Sequence, residues 1–146
     1  VTNAVAMLTK AISLKEDYGD AYLLRGETLL KNGDTDEADE DATWLLEHTE
    51  DNEDVMMLKA RIERAKGNTD AAKDYYTKVT DANPFNIDAY RERGELRLAT
   101  GDEKGGNEDI EHAKELTAQL PENNDEEGIE NKVKEKYKSM DPYGVF

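Results

Sequence analysis

The sequence predicts an all-α fold, a solenoid of antiparallel helix pairs that ends in a C-terminal helix. The first observation is a repeat, because the segments KNGDTDEA at 31–38, AKGNTDAA at 65–72 and ATGDEKGG at 99–106 begin 34 residues apart. The second is the spacing of the apolar residues ahead of each segment, which follows the 3.6-residue period of a helix. We therefore predict one two-helix unit, repeated along the chain.

Each repeated segment predicts the turn between the two helices of a unit. The first helix ends at a glycine that can adopt the left-handed conformation, and this glycine is Gly33, Gly67 or Gly101. The next residue, Asp34, Asn68 or Asp102, is a predicted N-cap of the second helix. Glu37 follows Asp34 by three residues, which predicts a capping box.

A helix–turn–helix unit of this length resembles the tetratricopeptide repeat family. In residues 19–52 the family pattern is carried by Ala21, Tyr22, Gly26, Gly33, Asp34, Ala38 and Leu45. In residues 53–86 it is carried by Ala60, Gly67, Ala72, Tyr76 and Pro84, and in residues 87–120 by Ala89, Tyr90, Gly94, Gly101, Asp102 and Ala113. The resemblance implies a right-handed superhelix of stacked repeats that works by binding other proteins.

The domain organisation follows from this resemblance. We expect an array over residues 1–120, in which residues 1–18 form a half repeat and residues 19–52, 53–86 and 87–120 form full repeats. Residues 121–146 break the period, and we predict a capping helix at about 125–139 followed by a short tail. Its apolar stripe consists of Ile129, Val133 and Tyr137.

Small residues at fixed places in the repeat predict close contact between paired helices. These residues are Gly26, Ala38, Ala60, Ala72 and Gly94. The family pattern is broken by Glu63 and Arg97 at slots that usually hold a large apolar residue, and by Gly106 at an alanine slot. Because Gly105 adjoins Gly106 and glycine costs about 1 kcal/mol against alanine in a helix, we expect the last second helix to start late or fray.

Composition excludes several classes of function. The formal net charge of -16 argues against nucleic acid or an anionic membrane as the main partner. No apolar run approaches the roughly 18 residues that a membrane span needs. Cysteine is absent, so thiolate chemistry is excluded. The chain begins at Val1 within a repeat, so we expect further sequence upstream; the compartment is undetermined, with the cytoplasm as the default.

The sequence contains no set of residues typical of catalysis or cofactor binding. His48 and His112 stand at different positions of the repeat, and serine occurs at Ser13 and Ser139 alone. The acidic segment KNGDTDEADED at 31–41 fails the calcium-loop template, which requires glycine at the sixth position, where Asp39 stands. We therefore predict a protein that is not an enzyme and that holds no metal or cofactor.

The resemblance places a partner-binding groove on the first helices of the repeats. Its predicted residues are Leu23, Glu27, Leu30, Met57, Arg61, Arg64, Arg91, Glu95 and Leu98. The three arginines can bind a carboxylate by bidentate hydrogen bonds, or they can pair within the chain with Glu27, Glu63 and Glu95. On the first reading, Arg61→Glu with Arg91→Glu abolishes partner binding and leaves the helical circular dichroism intact.

Two further expectations concern particular positions of the repeat. Trp44 is expected to be partly buried against the next helix rather than to anchor a partner. Arg25, Lys59 and Arg93 share one slot of the repeat, and we expect packed stems with solvated charges there. The predicted function is thus a non-catalytic module that binds a peptide or protein partner; the alternative is a structural or self-associating scaffold segment of a larger repeat protein.

Overall fold

The computed structural model describes residues 2–14, 19–50 and 52–120. Within these ranges the chain forms seven α-helices and no strand, which confirms the all-α prediction. The helices are α1 (Thr2–Leu14), α2 (Gly19–Lys31), α3 (Thr35–His48), α4 (Glu53–Ala65), α5 (Thr69–Ala82), α6 (Ile87–Ala99) and α7 (Glu103–Ala118). The capping helix predicted at 125–139 lies outside the described residues, and the hand of the superhelix and the repeat boundaries stay predictions.

Helices pack in consecutive pairs. The closest pairs are α2 with α3, α4 with α5 and α6 with α7, and α4 also packs against α2 and α3. We call α2, α4 and α6 the first helices and α3, α5 and α7 the second helices. This arrangement places the first helices of neighbouring repeats beside one another, which determines where the candidate site lies.

The turns inside the pairs form as predicted. Gly33, Gly67 and Gly101 have φ values of 86°, 83° and 94°, a region that favours glycine. After each glycine, the next backbone N–H donates to a carbonyl five residues earlier, as from Asp34 to Leu29 at 2.9 Å. This is the Schellman arrangement, and it satisfies carbonyls that the end of a helix would leave without partners.

The caps differ from the prediction. Asp102 accepts from the Gly105 backbone N–H at 2.9 Å, but Asp34 and Asn68 make no side-chain cap bond. The capping box with Glu37 does not form, because the Asp34 N–H already donates to Leu29 in the Schellman turn. The caps that the prediction missed are Asn52 and Asn86, which accept from Val55 and Ala89 at 2.9 Å and start the first helices α4 and α6.

Close packing of the pairs is confirmed at the small residues. Ala38, Ala60 and Ala72 are fully buried. A Cβ atom added to Gly94 would lie 2.9 Å from the Gly106 carbonyl oxygen, and one added to Gly26 would lie 2.9 Å from Leu58 Cδ2. Helix pairs therefore approach closely enough that a side chain larger than the native one has no space.

The prediction that the last second helix starts late is wrong. Helix α7 begins at Glu103 and includes both Gly105 and Gly106. A Cβ atom at Gly106 would lie 2.6 Å from Leu98 Cγ, so glycine is needed there for α6 and α7 to touch. The close contact, together with the Asp102 cap, outweighs the low helix propensity of the two glycines.

Candidate protein-interaction surface

The predicted groove residues occupy three different environments. Leu23, Glu27, Leu30, Arg61 and Arg64 are half-buried, whereas Arg91, Glu95 and Leu98 are exposed. Met57 is 5% exposed and belongs to a core cluster with Tyr76 and Ala89. Met57 is therefore a packing residue, and it offers no surface to a partner.

Leu23 and Leu30 border the core between α2 and α4. They pack as partly buried side chains against the cluster that contains Leu29, Val55 and Ile62. The structure thus joins the leucines of α2 to the core and brings the arginines together elsewhere, between α4 and α6. The predicted groove is divided into an apolar part on the first repeat and a charged part on the second and third repeats.

Arg61 is held by a carboxylate that the sequence interpretation did not consider. Its Nε and Nη2 atoms donate to the two oxygens of Glu92 at 2.8 and 2.7 Å, a bidentate pair between α4 and α6. The Tyr76 hydroxyl donates to the same carboxylate at 3.1 Å. Burial and the Glu92 charge raise the pKa of Tyr76 to about 12, so the phenol stays a proton donor at neutral pH.

Arg61 thus pairs with a carboxylate outside the predicted set, whereas the predicted pairing with Glu95 is found at Arg64 and Arg91. Glu92 occupies the slot that holds the buried leucines Leu24 and Leu58 in the two preceding repeats, and it is itself 8% exposed. A carboxylate at a core position requires a partner in the same place, because burying an unpaired charge is costly. This mismatch between repeats was a usable signal for the pair.

Arg64 and Arg91 have looser partners. Arg64 Nη1 lies 3.6 Å from Glu95 Oε2, and Arg91 Nε lies 3.8 Å from Glu95 Oε1, so one carboxylate stands between two guanidinium groups. Arg91 also lies 3.2 Å from Asp88 on its own helix. We call Arg64, Arg91 and Glu95 the shared-carboxylate site.

The shared slot of Arg25, Lys59 and Arg93 is ionic, and the expectation of solvated charges is wrong. Arg93 donates from Nε and Nη2 to Asp109 at 2.8 and 2.7 Å, and Arg25 makes the matching bidentate pair with Asp41. Hydrogen bonding to Asp109 raises the pKa of Arg93 although burial opposes it. Arg25 and Arg93 thus hold helices together, and their side chains are 18% and 11% exposed.

Lys59 binds different carboxylates. It donates to Asp39 at 2.6 Å and lies 2.9 Å from Glu63. Burial raises the pKa of Asp39 and of Glu63, but hydrogen bonds from Lys59, with Lys66 at Asp39 and Asn68 at Glu63, outweigh it and lower both pKa values. The apolar slot at Glu63 is thus filled by an ion pair.

Trp44 contacts aromatic rings of its own helix pair and packs against a core cluster that includes Val55, Leu58 and Ile62 of the next helix, α4. Its ring stacks on Tyr22 of α2 with centroids 3.7 Å apart, and His48 stacks nearby at 4.5 Å. Both contacts involve ring faces, so Trp44 is half-buried in part by side chains of the same pair. The expectation of partial burial holds, with α2 as a further neighbour.

The described residues form neither a metal-binding cluster nor a membrane-spanning helix. In residues 2–14, 19–50 and 52–120, no group of three or more His, Asp or Glu side chains could hold a metal ion. Within the same part of the chain, no helix combines the length and the apolar character that crossing a membrane requires.

Comparisons with known proteins agree with the repeat pattern. Residues 57–105 match a family model described as tetratricopeptide repeat. No curated protein matches the chain. Among solved structures, the crystal structure of MamA matches with a TM-score of 0.69 at 16% sequence identity, over 77% of this chain and 66% of that chain. This chain thus spans just under two thirds of the matched MamA chain, and its residues 57–105 are similar to tetratricopeptide repeats.

Proposed function

We propose that the chain is a non-catalytic protein-interaction module that binds an extended peptide or a partner protein across its first helices. Tetratricopeptide repeats support a binding role, and the first-helix side chains between α4 and α6 provide a surface for it. The observation that carries the proposal is the shared-carboxylate site, where Arg91 is exposed and Arg64 half-buried, and neither makes a hydrogen bond to Glu95. Such groups keep their hydrogen-bonding capacity for a partner.

Apolar side chains lie beside this site on α6 and on the first helix of the first repeat, α2. Leu98 is 37% exposed one turn after Glu95 on α6, and Leu23 and Leu30 are half-buried on α2. A few apolar anchors beside charged groups are typical of binding surfaces, where the apolar residues supply affinity and the charges supply orientation. The proposed surface therefore contains Leu23, Glu27, Leu30, Arg61, Arg64, Arg91, Glu95 and Leu98, and omits Met57.

The structure changes the variant that best tests this proposal. Arg61→Glu would set a second carboxylate against Glu92, which the buried Tyr76 also contacts, so it would destabilise the fold as well as the surface. Arg64→Glu with Arg91→Glu instead reverses one half-buried and one exposed charge, neither of which is hydrogen-bonded to Glu92. We expect this double variant to keep the helical circular dichroism of the native chain.

Binding is measured with peptides selected from a displayed library of random dodecapeptides, by fluorescence anisotropy. We expect Arg64→Glu with Arg91→Glu to weaken the selected peptides by about tenfold or more, since each lost charged hydrogen bond is worth about 1.5–3 kcal/mol. Lys73→Glu with Lys104→Glu is the matched control, because it changes the net charge equally on the second helices. Equal affinities for both double variants would place binding elsewhere.

The alternative prediction is a structural or self-associating segment of a larger repeat protein. Residues 19–50 contain ten Asp and Glu against two Lys and Arg, whereas residues 52–86 contain six of each, so the charge along the chain is uneven. Analytical ultracentrifugation separates the two roles. A dimer that grows with concentration favours self-association, and a monomer at all concentrations favours a receptor for another chain.

A further inference from the structure

The shared-carboxylate site holds a carboxylate of the chain itself in a place where a partner's carboxylate would fit. Glu95 directs one oxygen at Arg64 and the other at Arg91, from two neighbouring repeats. We infer that this site binds an acidic side chain of a partner peptide, and that Glu95 is a built-in competitor that the peptide displaces. The inference rests on the proposed function and names the partner's chemistry: an acidic residue next to an apolar one.

The contrast with Arg61 shows why displacement is feasible. Arg61 and Glu92 form two hydrogen bonds at 2.8 and 2.7 Å, with Tyr76 as a further donor to the carboxylate. Glu95 lies 3.6 and 3.8 Å from its two arginines, beyond hydrogen-bonding distance. The side chains of Glu95 and Arg91 are also 46% and 51% exposed, and exposed ion pairs of this kind contribute little to stability.

A carboxylate suits this place, and a cation does not. Guanidinium groups bind carboxylates through two parallel N–H bonds, and two such groups can share the two oxygens of one carboxylate. A partner carboxylate can approach until these bonds form, whereas Glu95 is tied to the backbone of α6. A cationic side chain would instead meet two arginines at close range, which is unfavourable.

The chain is less acidic at this site than in the first repeat. The net charge of -16 repels an acidic peptide in general, but residues 52–86, which supply Arg64, contain six acidic and six basic residues, and residues 87–120, which supply Arg91, contain nine and five. At physiological ionic strength, charges more than about 8 Å away are largely screened. Contacts within the site therefore decide binding, and the strongly acidic first repeat has little influence there.

Leu98 adds the apolar half of the recognition. It lies three residues after Glu95 on α6, so the two side chains share one face of the helix. As an exposed leucine beside the charged site, it offers a contact for an apolar side chain that follows the acidic one. A peptide that alternates acidic and apolar residues would meet both features.

Three fluorescein-labelled peptides test the inference: Glu-Leu-Glu-Leu, Gln-Leu-Gln-Leu and Lys-Leu-Lys-Leu, each flanked by Gly-Ser and capped at both ends. We expect the glutamate peptide to bind most tightly, and Arg64→Gln or Arg91→Gln to weaken it by about tenfold or more. We expect Glu95→Gln to tighten it about fivefold, by removal of the competing charge. The control is Glu111→Gln, an exposed site on α7 with the same change in net charge, which should leave the affinity unchanged.

A spectroscopic signal separates direct contact from a general charge effect. In ¹⁵N spectra of the intact chain, the Nε–Hε resonances of Arg64 and Arg91 should shift when the glutamate peptide is added. The resonance of Arg61 should stay, because its Nε already donates to Glu92. Shifts at both arginines support the site; a shift confined to Arg61, or equal effects of Glu95→Gln and Glu111→Gln, would overturn it.

The inference and the proposed function can fail separately. Preferred binding of the lysine peptide, or binding of all three peptides with equal affinity, refutes the acidic partner but leaves the groove proposal to the library selection. Absence of binding by the glutamate peptide at millimolar concentration refutes the acidic partner as well. If neither double variant loses binding to the library-derived peptides, the groove proposal itself is refuted.

Discussion

The outer helix pairs and the middle pair use different chemistry at the same place in the repeat. In α2/α3 and α6/α7, an arginine bonds to an aspartate 16 residues later, as Arg25 does with Asp41 and Arg93 with Asp109. In α4/α5 the corresponding residues are Lys59 and Tyr75, and Lys59 turns instead to Asp39 of the preceding pair. Each outer helix pair thus contains an internal ion pair, whereas an ion pair joins the middle helix pair to the preceding one.

The likeness of the outer pairs extends beyond that ion pair. Each guanidinium also lies over a tyrosine ring, at 5.3 Å from Tyr22 and 5.4 Å from Tyr90, and each contacts a threonine, Thr9 or Thr77. Corresponding members lie 68 residues apart, so the closest chemical match of a repeat is the second repeat along rather than its neighbour. One backbone arrangement therefore accepts ion pairs either within a helix pair or between neighbouring helix pairs.

The largest effect is expected from removing a buried partner in an outer pair. Asp109→Ala leaves Arg93, at 9% exposure, without its carboxylate and deprives Arg97 of one as well. Such a loss costs about 3–5 kcal/mol. Lys59→Met in the middle pair should cost less, about 1–3 kcal/mol, because Asp39 keeps Lys66 and the buried Glu63 keeps a hydrogen bond from Asn68.

Urea unfolding followed by circular dichroism measures both variants. Hydrogen exchange should show that the stability lost in Asp109→Ala is lost in α6 and α7, since each repeat contacts only the repeats next to it. Equal destabilisation by the two variants would show that the internal and bridging ion pairs are energetically equivalent.

A smaller effect separates the two outer pairs from each other. Gly94→Ala places a methyl group 2.9 Å from the Gly106 carbonyl oxygen, which is backbone and cannot rotate away, so we expect a loss of about 1–3 kcal/mol. Gly26→Ala meets the end of the Leu58 side chain at 2.9 Å, which can rotate. Because alanine also gains about 1 kcal/mol of helix propensity over glycine, Gly26→Ala should be close to neutral.

Thermal unfolding of the two alanine variants checks this difference. The midpoint for Gly94→Ala should fall by several degrees, as expected for a small domain that loses about 1–3 kcal/mol. A larger fall for Gly26→Ala would mean that Leu58 is held as rigidly as backbone.

The smallest effect is a pH dependence in the middle pair. The pKa values of Asp39 and Glu63 are lowered in the folded chain, so their contribution is present above their unfolded values of 3.8 and 4.5 and is lost as the pH falls. Below about pH 5, the difference in unfolding free energy between the native chain and Lys59→Met should therefore shrink. A difference that stays constant down to pH 3 would assign the role of Lys59 to packing.

Local features of this fold can be predicted from the sequence because they depend on neighbouring residues. The turns at Gly33, Gly67 and Gly101 and the small packing residues follow from backbone geometry repeated every 34 residues. Signals for some missed features are also present in the sequence. Asn52 and Asn86 lie one period apart, and Glu92 stands at a slot that holds leucine in the other repeats.

Features that depend on how neighbouring pairs stack could not be predicted. The position of Glu95 between Arg64 and Arg91 follows from the separation of α4 and α6, which sequence spacing alone does not determine. The burial of Met57 has the same cause, since α4 packs against helices on both sides of it. Assignment to the first helix alone does not separate a buried position such as Met57 from an exposed one such as Arg91.

The recurrence of the Arg–Asp pairs has a consequence for how such arrays gain and lose repeats. Unequal recombination can join the gene for one repeat to that of another at any point. A crossover between the codons for Arg25 and Asp41 that shifts the register by 68 residues restores an arginine–aspartate pair, because Asp109 then follows. A shift of 34 residues sets Arg25 against Tyr75 and leaves a buried guanidinium without a carboxylate. Selection for folded protein should therefore preserve crossovers between these two codons that add or remove two repeats at a time.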